Sequence, residues 1–241
     1  MKLYVVGFGC GSFEGMTVEA RQVIESCDLV VGYKVYIELL KQFFSQKEYF
    51  FTGMRQEKER VLYALEQAQN GRTVALVCSG DSEVYGMAGL AYQLSEEFPQ
   101  VEIRTVAGLT AALSGGALLG APLTHDFAVI SLSDLLTLPE KIALRLECAA
   151  KADFVIAMYN PSSKSRPEHL KKACEIVLKY RSPETVCGYA KNIGRSGEES
   201  GVMTLAELAE FKADMFTTVF IGNSQTKIIN GKMVTPRGYN V

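Results

Sequence analysis

Four short stretches of this 241-residue chain hold residue types that could do chemistry. Gly7-Phe8-Gly9-Cys10-Gly11-Ser12 follows an apolar run at the start. Ser79-Gly80-Asp81-Ser82-Glu83-Val84-Tyr85-Gly86 follows a second such run, and Val106-Ala107-Gly108-Leu109-Thr110-Ala111 ends a third. Turns of this kind at the C-terminal ends of buried strands are where α/β sheets place ligands. Asp81 could accept a hydrogen bond from a hydroxyl or ammonium, and an Asx-type helix cap needs the same residue. Three glycine-bearing turns on one edge would together form the floor of a pocket. The fourth stretch, Tyr159 to Lys172, is a polar, basic loop entering a helix. Lys164 and Arg166 there could grip carboxylates or phosphates. His125, one of two histidines, stands beside Asp126. That pair could move a proton or simply face solvent.

The first turn does not read as a dinucleotide site. That fingerprint requires Gly-x-Gly-x-x-Gly and an acid about 20 residues on, at the end of the second strand. Ser12 holds the third glycine position, and the second strand ends in Gly32-Tyr33. Asp28 precedes that strand and lies at its wrong end. Positive φ at a strand's end explains the glycines without a ligand. There is no Gly-x-Ser-x-Gly elbow, no Walker lysine and no Cys-x-x-Cys pair. An enzyme with so few evident catalytic groups works by positioning.

The elements that must hold these turns alternate. Continuous apolar runs at 2–7, 29–32 and 73–80 predict strands buried on both faces. Helices are expected at 17–27, 35–44, 56–71, 86–98 and 110–120, and a strand at 101–106. Gly120 and Pro122 break the pattern, so the domains are placed at 1–117 and 118–241. Beyond the break, strands are expected at 127–132, 153–160, 185–190 and in Thr217-Thr218-Val219-Phe220-Ile221-Gly222. Helices fall at 139–152, 166–180 and 205–211. Asn230-Gly231 marks a closing hairpin. The fold class is α/β, as two α/β domains with a ligand in the cleft between them.

Hydrophobic residues at 48%, charged residues at 22% and a net charge of −2 fit an ordinary globular protein. Nothing in the bulk charge favours nucleic acid or a membrane surface. No apolar stretch reaches the length of a membrane span, and the N-terminal run breaks at Gly7, too early for a signal peptide. A cytoplasmic protein with reduced thiols is expected, and the six cysteines and two histidines offer no metal set.

Together "GFGCGSFEGMT", "SGDSEVYG", "VAGLTAA" and "TPRG" resemble the tetrapyrrole (corrin/porphyrin) methylases. "TGMRQEKER", "LLGAPLTHDFAVISLSDLL" and "YNPSSKSRPEHL" narrow the likeness to the branch acting on precorrin-3B or cobalt-factor III. The resemblance implies two α/β domains, S-adenosylmethionine as cofactor and methylation of C-17 with ring contraction. It implies a homodimer and a corrinoid substrate; any cobalt belongs to that substrate, and no protein-bound metal is expected. By motif, Cys10, Gly80, Asp81, Val84, Tyr85, Thr110 and Ala111 would meet the cofactor from the first domain's turns. Met158, Tyr159, Tyr189 and Thr235 would meet it from the second domain. Gly9, Gly11, Ser12, Lys164 and Arg166 would bind the macrocycle, with His125 and Asp126 as acid/base candidates. Cys10 and Ser82 stand where the family usually has prolines, so both loops lose a φ restriction.

Overall fold

The computed structural model describes residues 1–163 and 165–239. The chain divides into two compact units, Met1–Thr110 and Ala111–Val241.

The first unit runs β1 (Lys2–Gly7), α1 (Val18–Ser26), β2 (Leu29–Tyr33), α2 (Lys34–Lys41), β3 (Glu48–Thr52), α3 (Glu57–Gln69), β4 (Thr73–Cys78), α4 (Ala88–Leu94) and β5 (Glu102–Val106). Its sheet has the order β3-β2-β4-β1-β5, and every pairing is parallel. The continuous apolar strands are explained by two cores, one on each face. Leu3, Val5, Leu29, Val31, Val74 and Leu76 pack toward α3 and α4. Val6, Val30, Ala75 and Val77 turn the other way, onto Ala20, Ile24, Ile37 and Leu40 of α1 and α2. Period-2 alternation thus splits one apolar run between two helix layers. Thr17 opens α1 by accepting from the Ala20 N–H at 3.1 Å.

The second unit runs α5 (Ala111–Leu119), β6 (Gly120–Ala121), β7 (Phe127–Ser131), α6 (Pro139–Lys151), β8 (Val155–Tyr159), α7 (His169–Val177), β9 (Val186–Lys191), β10 (Glu199–Thr204), α8 (Leu205–Glu210), β11 (Thr217–Ile221), β12 (Lys227–Ile229) and β13 (Lys232–Val234). Its main sheet, β10-β9-β11-β8-β7, is mixed, with only β7 and β8 parallel neighbours. Ile156, Met158, Cys187, Val219 and Ile221 form one core with α6, α7 and α8. The opposite face receives α5, where a Cβ on Gly115 would lie 3.0–3.2 Å from Ala190, Ile193 and Phe220. That close seat places α5 with the second unit, so the contact division falls before this helix, while the expected boundary of 117/118 falls near its end. The closing hairpin β12–β13 turns on Asn230-Gly231, both at positive φ, and β13 pairs with β6.

Candidate functional site

Strands β4, β1 and β5 are adjacent and parallel, so their three glycine turns share one edge of the first sheet. They pack backbone on backbone. Gly9 and Gly80 exchange N–H···O bonds of 2.9 and 2.7 Å, and both adopt positive φ. A Cβ on Gly108 would fall 2.2 Å from the Gly80 carbonyl oxygen and 2.5 Å from Gly7. A Cβ on Gly7 would fall 2.7–2.8 Å from the backbone of Ser82, Asp81 and Gly108. No side chain fits at these positions, which is the physical reason for glycine there.

Asp81 organises this edge. One carboxylate oxygen accepts from the N–H groups of Glu83 and Val84 at 2.8 and 3.0 Å, and the other from Gly108 at 2.9 Å. Burial raises its pKa, but the N–H groups of Gly108, Glu83, Val84 and Ser82 outweigh that and hold it below 3.8. The carboxylate therefore fixes loop backbone, joining the β4 and β5 turns. Val84 is half-buried, and Tyr85, at φ 56°, is 55% exposed. Both loops are held despite lacking the prolines. Ser82 is fully buried and donates to the Val106 carbonyl at 3.0 Å. Cys10 Sγ lies 3.6 Å from the Leu109 carbonyl, and the Ser12 hydroxyl accepts from the Gly15 N–H at 3.0 Å. Gly11, at φ 145°, and half-buried Thr110 complete this edge. Cys78, at the end of β4, is a packing thiol; burial pushes its pKa up to about 11.

The second unit does not gather its expected residues in one place. Met158 and Tyr159 are strand neighbours and point to opposite faces. Met158 is fully buried in the core with α6 and α7. Tyr159 points to the α5 face, and its hydroxyl accepts from the Ala112 N–H at 2.7 Å, next to Ala111 at the start of the helix. Tyr189 shares the face of Met158. Its ring packs at a tilt on Phe211, centroids 4.4 Å apart, and its hydroxyl donates to Glu199, a bond that raises its pKa together with burial. Tyr159 and Tyr189 thus lie on opposite sides of the sheet.

A second separation runs along the strands. Tyr159 is the last residue of β8, and Arg166 lies in the loop that follows it. His125 and Asp126 precede β7, and the Asp126 carbonyl accepts from Val155 at the start of β8. Both side chains are exposed, 3.6 Å apart. Thr235 lies on their edge: the Thr124 hydroxyl donates to its carbonyl, and its own hydroxyl meets that of Thr226 at 2.8 Å. Arg166 is already engaged, donating to Asp134 at 2.9 Å and to the Ser133 hydroxyl at 3.1 Å. Lys164 lies outside the described residues.

Sequence reasoning passed over the partners of Arg166. Asp134 is bracketed by Arg166 and, at 3.5 Å, by His169, whose Nδ1 lies 3.1 Å from the Leu132 carbonyl. Arg166 holds the Asp134 carboxyl below its ordinary value. The Asn160 amide, at φ 52°, donates to the Ser131 hydroxyl at 2.9 Å. The serines and acid clustered just past a strand in "ISLSD" were the available signal. Among the described residues no group of His, Cys, Asp and Glu could hold a metal ion, and no helix is long and apolar enough to cross a membrane.

A relative from Salmonella typhimurium, "Probable cobalt-factor III C(17)-methyltransferase", is 45% identical over 99% of this chain and 100% of its own length. The "Cobalt-factor III methyltransferase" of Priestia megaterium is also 45% identical over 99% of this chain, which spans only 45% of that longer protein. The crystal structure of the methyltransferase CobJ superposes with a TM-score of 0.88, at 34% identity, covering 97% of this chain and 99% of that one. The model of the Tetrapyrrole (Corrin/Porphyrin) Methylases matches residues 2–209, and the chain belongs to that family.

Proposed function

We propose that this chain methylates C-17 of cobalt-factor III or precorrin-3B, with contraction of the macrocycle, in cobalamin biosynthesis. The observation that carries the reading is the end-to-end match, at 45% identity, with a relative named for that reaction. Both relatives described above carry the cobalt form in their names, which favours the cobalt substrate.

The residues of the first edge suit S-adenosylmethionine. A fixed backbone offers hydrogen-bonding groups around a half-buried valine and an exposed tyrosine, a match for a ribose and a flat heterocycle. Bound there, S-adenosylmethionine would supply an electrophilic sulfonium methyl group whose leaving group is a neutral thioether. The chain must align the two partners and exclude water, which needs no covalent catalyst. In this reading Gly80, Asp81, Val84, Tyr85, Thr110 and Ala111 shape the cofactor site, and Tyr159 steadies the start of α5 through its bond to Ala112. Gly9, Gly11 and Ser12 face the macrocycle. Ring contraction also moves protons, and His125 with Asp126 are the candidates, standing next to Thr124 and so to Thr235. The chain acts in the cytoplasm as a homodimer.

The test uses purified protein, cobalt-factor III and cofactor labelled in its methyl group. NMR of the product should place the label at C-17. A label on another carbon would assign the chain to a different methylase of the family. Calorimetry should show binding of S-adenosylhomocysteine and none of NAD; binding of neither would reject the enzyme reading.

A further inference from the structure

Arg60, on α3, is buried to 3% exposure in the first unit. Its Nε donates to Thr52 Oγ1 at 3.0 Å and its Nη2 to the Gly53 carbonyl at 2.8 Å. Among the described residues its Nη1 reaches only the Met87 thioether, at 3.4 Å. Among the described residues no Asp or Glu forms an ion pair with it. A buried charge without a counter-charge is costly, and a thioether is a weak acceptor for a guanidinium.

The second unit provides a control. Arg181, 9% exposed, also forms no ion pair among the described residues, but it donates to the carbonyls of Gly222, Ala149 and Phe154. Those are strong acceptors, and Ala149 lies in the last turn of α6, where a helix favours a cation. Both Nη groups of Arg181 meet strong acceptors, although its buried Nε has no partner among the described residues. Arg60 differs in that one of its Nη groups meets only a thioether. It lies where β2, β3 and β4 end, 5.7 Å from the Tyr33 ring centroid, against the residue that closes the Asp81 loop. Burial pulls its pKa below the ordinary value, as it does for Arg181, against the opposing pull of Glu57.

We infer that Arg60 anchors a carboxylate arm of the tetrapyrrole, and that the Met87 thioether holds the place of that anion on Nη1. The inference rests on the tetrapyrrole reading above. Methionine is unbranched and flexible, so it can swing aside, and the guanidinium fork then meets the carboxylate. The arm would be seated beside the Asp81 loop, which makes Arg60 a group that orients the macrocycle.

Fluorescence titration with a carboxylated porphyrin and with its methyl ester tests this, alongside S-adenosylhomocysteine calorimetry and thermal melting. The wild-type protein should bind the acid more tightly than the ester. Arg60→Met should lower affinity for the acid about tenfold or more, the worth of one charged hydrogen bond, while ester and S-adenosylhomocysteine affinities hold. Arg60→Lys should keep part of the preference. If Arg60→Met does not fold, Met87→Glu decides. It presents a carboxylate to Nη1, so it should melt no lower than wild type yet lose affinity for the acid. Unchanged acid affinity in the folded variants, or no preference in the wild type, overturns the inference. If the wild type binds neither porphyrin nor S-adenosylhomocysteine, the tetrapyrrole reading itself falls.

Discussion

The two units solve the same problem, holding loops at strand ends, in different materials. In the first, the turns after β1, β4 and β5 meet backbone to backbone, with distances that exclude a Cβ. In the second, the loop after β7 is fastened by side chains: Arg166 on Asp134 and Ser133, and His169 on Leu132 and Asp134. Backbone contacts have no rotamers to adjust, whereas side-chain latches sit half-exposed and can be replaced by water. The first edge should therefore be brittle and the second tolerant.

The hardest test of that contrast is Gly108→Ala. The added methyl meets the Gly80 carbonyl oxygen at 2.2 Å, so a loss of about 3 kcal/mol or more is expected in urea denaturation. A wild-type midpoint would break the comparison. Next comes Asp81→Ala, which strands the N–H groups of Gly108, Glu83 and Val84. A cost of about 2–3 kcal/mol is expected, with weaker S-adenosylhomocysteine binding in calorimetry. The same residue sets a pH dependence. Its folded pKa lies below 3.8, so its stabilisation is complete above that pH and disappears as pH falls through the folded value. Stability curves of wild type and Asp81→Asn should accordingly converge on acidification; parallel curves would assign the acid sensitivity elsewhere.

Arg166→Ala should cost only about 1 kcal/mol, because its partner Asp134 is partly exposed. A loss as large as that of Gly108→Ala would show that the second edge is equally brittle. The smallest effect is expected at His125, exposed in a turn. His125→Ala should change stability by less than about 0.5 kcal/mol and leave S-adenosylhomocysteine binding intact while slowing turnover. Turnover at the wild-type rate would reduce the His125–Asp126 pair to a solvent-facing turn.

Strong patterns made most of the fold legible in the sequence. The runs at 2–7, 29–32 and 73–80 became β1, β2 and β4 because burial on both faces leaves no polar position. Two edge strands, β3 and β10, were not read. Each is partly exposed, and β10 carries Gly201 under the Tyr189 ring, so neither alternates cleanly. The three turns were legible as glycines at strand ends. That Asp81 ties the β4 turn to the β5 turn was not, because its partner Gly108 is distant in sequence. Met158 and Tyr189 share one face of the sheet and Tyr159 takes the other, because a motif names a residue while strand parity decides which face it serves. Arg60 was readable in hindsight. It falls at Arg60-Val61-Ala64-Leu65-Ala68, on the buried stripe of α3, where an arginine demands an explanation.

The paired Gly9 and Gly80 amides carry one more implication. Each protects the other, so these loops should exchange hydrogen for deuterium together, as one cooperative segment. Such a segment draws its shape from main-chain atoms that every residue possesses. The main-chain bonds that hold the loop do not depend on the side chain at position 10, so a cysteine can stand there.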